Sequence, residues 1–164
     1  MNDFVCIGKL VNTHGIKGEV RILSDFDYKE HVFKKGVSFY LGKEKQELMV
    51  SSYRHHKMFE MVTFEGLNNI NDVLKYKGDY VFVKRTTLDL ENEEYVLSDT
   101  IGCLVYDKDK LIGTVKDYYL DNGNTILEIE GKKIFYIPIK SPCIKNVNTE
   151  NRVIKTDGGE EFIL

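Results

Sequence analysis

Apolar and polar residues alternate along most of this 164-residue chain. In the first half, β-branched and aromatic residues recur at every second position between Gly, Asn and Asp residues, which indicates short β-strands. The segments with this pattern are F-V-C-I-G-K-L, G-E-V-R-I-L, G-V-S-F-Y-L, Q-E-L-M-V-S-S-Y-R, M-F-E-M-V-T-F-E and Y-V-F-V-K-R. Because most of them are too close together for a helix to intervene, they predict an antiparallel barrel of about six strands.

One short helix is predicted within this barrel. Asn68 or Asn69 is suited to cap its N-terminus, and Gly78 is suited to the left-handed position at which a helix ends. The pattern predicts that its apolar residues share one face: Ile70, Val73 and Leu74.

A polar and acidic stretch divides the chain into two parts. The segment from Thr86 to Glu94 contains neither Pro nor Gly and is typical of a linker between domains. We therefore expect an N-terminal domain at residues 1–88, a linker at 89–94 and a C-terminal domain at 95–164.

The strand pattern resumes after the linker. It runs through I-G-C-L-V-Y-D, L-I-G-T-V-K-D-Y-Y-L, T-I-L-E-I-E, K-I-F-Y-I-P-I and R-V-I-K-T. The Asn-Gly pair within D-N-G-N, residues 121–124, predicts a two-residue hairpin turn. The fold is thus expected to be mainly all-β, with two small barrels of which the second is the smaller.

Composition is that of a globular protein. Hydrophobic residues make up 42% of the chain and charged residues 30%. No apolar run approaches the roughly 20 residues that span a bilayer, and the first residues lack the pattern of a signal peptide, so we expect a cytoplasmic protein without a membrane partner. The three cysteines are expected to be small core residues, with no disulfide or zinc site: Cys6, Cys103 and Cys143.

The net charge of −3 conceals a difference between the two halves. Residues 1–90 carry 14 Lys and Arg against 12 Asp and Glu, a balance of +2, whereas residues 91–164 carry 9 against 14, a balance of −5. With a pI near 5.8, the chain lacks the dense basic surface of a standalone nucleic-acid binder. Its acidic second half would attract a basic partner.

No arrangement typical of an enzyme is present. The four histidines show no metal-binding spacing, and neighbouring residues of a strand face opposite ways, so His55 and His56 are a poor metal chelate. Nucleophile, phosphate-binding and dinucleotide motifs are missing. The strand carboxylates alternate with apolar residues and are expected to be solvated. We therefore expect no catalytic residue, no cofactor and no metal.

The segment V-N-T-H-G-I-K-G-E-V-R-I, residues 11–22, allows two interpretations. Gly-x-x-Gly loops let a nucleic-acid backbone approach closely, and Lys17 is placed to meet a phosphate. Alternatively, the segment is a turn between strands in which Gly15 and Gly18 adopt conformations closed to other residues. Local physics alone favours the turn.

Longer blocks resemble the RimM family of bacterial ribosome maturation factors. I-G-K-L-V-N-T-H-G-I-K-G-E-V-R-I is similar to the family's N-terminal signature, and F-E-G-L-N-N-I-N-D-V-L-K-Y-K-G to its helix block, with Val73-Leu74 in place of the usual Ala-Glu. D-T-I-G-C-L-V-Y-D with L-I-G-T-V-K-D, and then I-F-Y-I-P-I with N-R-V-I, resemble the first and last strands of the family's PRC-barrel domain.

The resemblance implies an N-terminal six-stranded barrel similar to those of translation factors, with one short helix, followed by a PRC barrel. It also implies a monomeric, non-enzymatic assembly factor for the small ribosomal subunit. In the family, the PRC barrel engages the nineteenth small-subunit protein, and the factor assists head assembly and processing of small-subunit rRNA. Three residues are candidates for facing rRNA: His14, Lys17 and Arg21. Six are candidates for docking the ribosomal protein: Glu93, Glu94, Tyr95, Asp99, Ile101 and Gly102.

The chain departs from the family pattern after the linker. Val96 follows Tyr95 where the family has a second aromatic residue, and Thr100 stands within the Asp-Leu-Ile/Val-Gly motif. Tyr95 is either an anchor for the partner or an inter-domain packing residue. Two other functions stay open: an RNA-binding module that works alone, and a small enzyme or cofactor binder on similar barrels.

Overall fold

A computed structural model describes residues 3–164. The chain forms two compact units, Met1–Asp89 and Leu90–Leu164. The division falls at the start of the predicted linker. Met1 and Asn2, which open the predicted N-terminal domain, lie outside the described residues.

The first unit is a closed antiparallel barrel, as the alternation predicts. Its strands follow the barrel order β1-β2-β5-β4-β3-β6. They are β1 (Phe4–His14), β2 (Glu19–Leu23), β3 (Ser38–Leu41), β4 (Gln46–His56), β5 (Phe59–Phe64) and β6 (Tyr80–Lys84).

Alternate residues of these strands fill the barrel. Val20 and Ile22 of β2 are fully buried, and the rings of Phe39 and Phe64 meet edge to face with centroids 6.1 Å apart. Cys6 is exposed because it alternates with the inward-facing Val5 and Ile7, so its expected place in the core is wrong.

The predicted helix is confirmed, with Asn69 as its cap. Helix α2 (Ile70–Val73) continues as a 3-10 helix (Leu74–Tyr76), and the Asn69 and Asp72 side chains form a capping box. Gly78 has a φ of +90°. Leu74 is 46% exposed, because the chain tightens into the 3-10 form there and Tyr76 takes the buried position instead.

A second helix was not expected from the sequence. Helix α1 (Lys29–Val32) is a single turn whose buried residue is Val32. A segment so short and charged has no helical period to detect.

The second unit is a six-stranded sheet of order β10-β9-β8-β7-β12-β11. Its strands are β7 (Leu104–Asp107), β8 (Lys110–Asp121), β9 (Asn124–Glu130), β10 (Ile134–Pro138), β11 (Ile144–Asn148) and β12 (Val153–Thr156), with 3-10 helices at Leu97–Thr100 and Gly159–Phe162. A 3-10 helix at Arg85–Thr87 follows the last strand of the first unit.

Five of these strands share one core, so the sheet curls around it. This core includes Val105, Val115, Leu127, Ile129, Phe135, Ile137 and Ile154. The predicted turn between β8 and β9 is confirmed, with Asn122 and Gly123 at positive φ. β12 and β7 pair in parallel, unlike the other described strand pairs of this sheet.

Candidate nucleic-acid interface and protein-docking surface

The loop between β1 and β2 is a structured turn. Gly15 and Gly18 have φ of +70° and +92°. A Cβ on Gly18 would overlap the carbonyl oxygen of Leu67, and the Ile16 carbonyl accepts a 2.9 Å hydrogen bond from the Ile70 amide. Both glycines are therefore structural, and the turn is held against the start of α2.

Two of the three predicted RNA-facing residues are in contact. The Arg21 guanidinium lies 2.7 Å from Nδ1 of His14 and 5.7 Å from the centroid of the Phe59 ring. Because a guanidinium only donates, Nδ1 of His14 accepts, and His14 is neutral in this arrangement. Lys17 lies exposed in the turn.

Strand register extends this site to residues that sequence reasoning missed. Arg21 of β2 and Arg54 of β4 are both cross-strand partners of Met61 on β5, and partners across an antiparallel pair point to the same face. Met61 is fully buried although it lies on the outer face. The aliphatic stems of the two arginines are suited to cover it.

Histidines complete this face. His14 pairs with Glu19 and His56 with Phe59, which places them on the same outer side, and the two imidazole centroids are 6.1 Å apart. We call these four residues the basic face: His14, Arg21, Arg54 and His56.

Electrostatics tie the basic face together. Arg54 donates two hydrogen bonds, of 3.0 and 2.8 Å, to the carboxylate of Glu19 and thereby lowers the pKa of that group. Desolvation, followed by the charges of Arg54 and Lys57, lowers the pKa of His56. Within the described residues, the buried Nε of Arg21 has no hydrogen-bond partner. The cations of this face can thus bind an anion.

His55 faces the opposite side, as strand geometry predicts. Its Nδ1 lies 3.0 Å from both oxygens of Glu60, which also accepts a 2.7 Å hydrogen bond from Tyr53. Lys29 Nζ is 4.0 Å from the same carboxylate. Burial and the bond to Glu60 raise the pKa of Tyr53 to about 12.

The expectation that strand carboxylates are solvated is wrong at two positions. Glu60 is 2% exposed and Glu128 7%. Each is satisfied by a tyrosine hydroxyl, from Tyr53 and Tyr119 respectively, and by a nearby cation. These partners lie on other strands or at distant positions, which a local pattern does not reveal.

The predicted docking residues lie along one segment at the start of the second unit. Glu93 and Glu94 are exposed, and Glu94 accepts a 2.8 Å hydrogen bond from the Glu91 amide. Tyr95 and Asp99 are half-buried. Ile101 is 40% exposed.

Gly102 and the two departures from the family pattern have structural explanations. Gly102 has a φ of +87°, and a side chain there would meet Arg152. Val96 is 3% exposed, so the position at which the family has a second aromatic residue is buried here. Thr100 is fully buried, and its hydroxyl donates a 2.7 Å hydrogen bond to the Leu97 carbonyl, which closes the 3-10 turn.

Among residues 3–164, no three His, Cys, Asp or Glu side chains cluster closely enough to hold a metal ion. The described part of the chain also contains no helix long and apolar enough to cross a membrane.

Comparisons with known proteins agree with this architecture. The RimM N-terminal domain model matches residues 5–88, and the PRC-barrel domain model matches residues 92–163. A ribosome maturation factor RimM from Staphylococcus epidermidis is 41% identical over 154 residues, covering 91% of this chain and 92% of the relative. One from Exiguobacterium sp. is 37% identical over 161 residues, covering 94% of each.

Solved structures of RimM proteins are also similar. The RimM protein of Pseudomonas aeruginosa aligns over 98% of this chain and 100% of its own, with 19% identity and a TM-score of 0.44. The N-terminal domain of Thermus thermophilus RimM covers 54% of this chain and 98% of its own, with 15% identity and a TM-score of 0.47.

The closed barrel, the six-stranded sheet and the two domain matches define a two-domain β protein that joins a RimM-type N-terminal domain to a PRC-barrel domain. The identity to curated relatives extends across both domains. The chain belongs to the RimM family of ribosome maturation factors.

Proposed function

We propose that this protein is a non-enzymatic, cytoplasmic assembly factor that binds the maturing small ribosomal subunit and assists head assembly and rRNA processing. The observation that carries the proposal is the 41% identity, over 91% of the chain, to a relative named ribosome maturation factor RimM. The same match supports a role in ribosome assembly for the whole chain rather than for one domain.

The first unit is proposed to face rRNA through His14, Lys17 and Arg21. The contact between Arg21 and His14 supports this role, because a guanidinium fork suits phosphate oxygens. The hydrogen bond from Arg21 also occupies Nδ1 of His14. This supports a role for His14 in positioning the guanidinium rather than as a general base in catalysis.

The second unit is proposed to bind the nineteenth small-subunit ribosomal protein. Its charge balance of −5 suits a basic partner. Glu93, Glu94 and Asp99 would steer the partner, while the half-buried Tyr95 and the exposed Ile101 would supply an anchor. Gly102 would hold this segment in its conformation.

Sedimentation of the intact protein with immature subunits, mature subunits and free rRNA, at low and high salt, tests the proposal. We expect co-sedimentation with the immature subunit. Binding to bare RNA alone, with a steep loss in salt, would instead indicate an independent RNA-binding module.

Replacing Tyr95 by Ala tests the anchor. We expect faster dissociation from the ribosomal protein, by about 30-fold or roughly 2 kcal/mol, because aromatic anchors contribute most to such interfaces. Tyr136→Ala is a matched control, since Tyr136 is 49% exposed on β10 of the same unit. Equal effects of the two substitutions would contradict the assignment of Tyr95.

A further inference from the structure

We propose that the basic face, extended by Lys57, is a binding site for the phosphodiester backbone of RNA whose occupation takes up a proton at His56. The inference rests on the proposed function for the choice of RNA, and it adds three residues and a pH dependence to it. Arg54, His56 and Lys57 come from the hairpin of β4 and β5, separate in sequence from the β1–β2 hairpin.

Geometry joins the two hairpins into one site. Arg21 and Arg54 flank Met61 on either side of β5, so their Cα atoms are two strand spacings apart, about 10 Å. Arg21 also lies against Phe59, the cross-strand partner of His56. The basic face is therefore continuous across β1, β2, β5 and β4.

Charge on this face favours an anion. Glu19 is the carboxylate placed on it, and Arg54 binds that group through two hydrogen bonds. Arg21 and Lys57 add positive charge that Glu19 does not offset. Base edges are read by combined donors and acceptors, whereas the donors here suit phosphate oxygens, so backbone recognition is favoured over sequence readout.

Proton uptake at His56 follows from the charges around it. His14 is neutral while Nδ1 accepts from Arg21. The cations that lower the pKa of His56 include Arg54, Lys57 and Arg21, and Glu19 lies close to both histidines. A phosphate bound beside His56 adds negative charge and raises the pKa of this imidazole.

The sign of the effect is fixed by linkage. Because the pKa of His56 is higher in the complex than in the free protein, binding takes up a proton. Affinity therefore rises as pH falls through the histidine range and levels off below the pKa of His56 in the free protein.

Fluorescence anisotropy of the intact protein with a short labelled RNA hairpin tests both parts. We expect binding at least about threefold tighter near pH 5.5 than near pH 8 at constant salt. His56→Gln should reduce this difference, whereas His31→Gln on α1 should not. A pH-independent affinity of the unmodified protein would overturn the proton uptake.

The salt dependence tests the contribution of the second hairpin. Lys57→Ala should reduce the slope of log K against log salt by about 0.7 to 0.9, the value for one lost phosphate contact. Lys43→Ala is the matched control, because Lys43 lies in the turn at the other end of β4. Equal slopes for the two variants, or polyglutamate competing as well as RNA, would overturn the site.

The two proposals can fail separately. If the protein co-sediments with immature subunits but its affinity for RNA depends neither on pH nor on Lys57, the proposed RNA site is wrong and the assembly role stands. If RNA binding behaves as expected but no subunit is bound, the assembly role is wrong and the site stands. Thermal unfolding of each variant confirms that the fold is retained.

Discussion

At the scale of single residues, Gly18 and Gly15 form a natural pair for comparison. Both have positive φ in the same turn, but only Gly18 has described atoms within 4 Å of where a Cβ would lie, including the Leu67 carbonyl. Gly15→Ala should lower the free energy of unfolding by about 1 kcal/mol, from backbone strain alone. Gly18→Ala should cost clearly more, because the backbone of residue 67 must also move. Urea denaturation of both variants measures the difference, and equal losses would show that the close approach carries no cost.

The buried carboxylate of Glu60 supports a second comparison at this scale. Tyr53 donates one of its hydrogen bonds, so Tyr53→Phe should lower the free energy of unfolding by about 1 to 3 kcal/mol. Tyr80→Phe should have little effect, because Tyr80 is 56% exposed. The free energy of unfolding of each variant, from urea denaturation, checks this. If Tyr53→Phe left the free energy of unfolding unchanged, the contacts from His55 and Lys29 would be enough to stabilise the buried carboxylate of Glu60.

The two glycines and Glu60 show which properties of single residues can be predicted from a sequence and which cannot. Positive φ at Gly15 and Gly18 follows from the residue type and its place between two strand patterns. The environment of Glu60 does not, because alternation alone assigns a strand carboxylate to solvent. Its burial depends on Tyr53 and His55 of the neighbouring strand, and so on register.

At the scale of elements, strands, the capped helix and the Asn-Gly turn were predictable because each has a local signature. Helix α1 and the parallel pairing of β12 with β7 had none. The basic face shows the same limit: alternation places Arg54 and His56 on one side of β4, but only the pairing with Met61 and Phe59 brings them to Arg21 and His14.

The C-terminal 3-10 helix depends on a carboxylate from another element. Asp107 at the end of β7 accepts hydrogen bonds from the Glu160 and Gly158 amides, at 3.0 and 2.9 Å. The bond from Glu160 is the main reason that the pKa of Asp107 is lowered. Asp107→Asn should therefore lower the free energy of unfolding by about 1 kcal/mol near pH 6, because an amide keeps only one acceptor oxygen.

The pH dependence of this effect has a definite sign. A carboxyl whose folded pKa is depressed stabilises the protein above its unfolded pKa, about 3.9, and this contribution is lost as pH falls through the folded value. The difference between the unmodified protein and Asp107→Asn should therefore vanish in acid. Asp109→Asn in the adjacent turn is the control. A difference that persists unchanged below the folded pKa would show that the carboxylate charge is not its source.

At the scale of the whole molecule, the charge difference between the halves was visible in the sequence and acquires a structural meaning. The balance of −5 belongs to the second unit, whose core draws on its own strands. The charge balance of +2 in the first half does not reveal the basic face, because a net charge does not show where the cations lie. The identity of the partner, the nineteenth small-subunit protein, was predicted from the family resemblance and not from the charge pattern.

Division of function between the units is the last prediction. A fragment of residues 90–164 contains a complete core, so it should fold alone and give dispersed amide resonances. It should bind the nineteenth small-subunit protein, whereas a fragment of residues 1–89 should not, because the acidic surface and Tyr95 lie in the second unit. Added salt should slow association more than it speeds dissociation, since screening acts on the long-range encounter. Calorimetry and stopped-flow kinetics on both fragments measure these effects, and an N-terminal fragment that bound the partner as tightly as the intact chain would overturn the division.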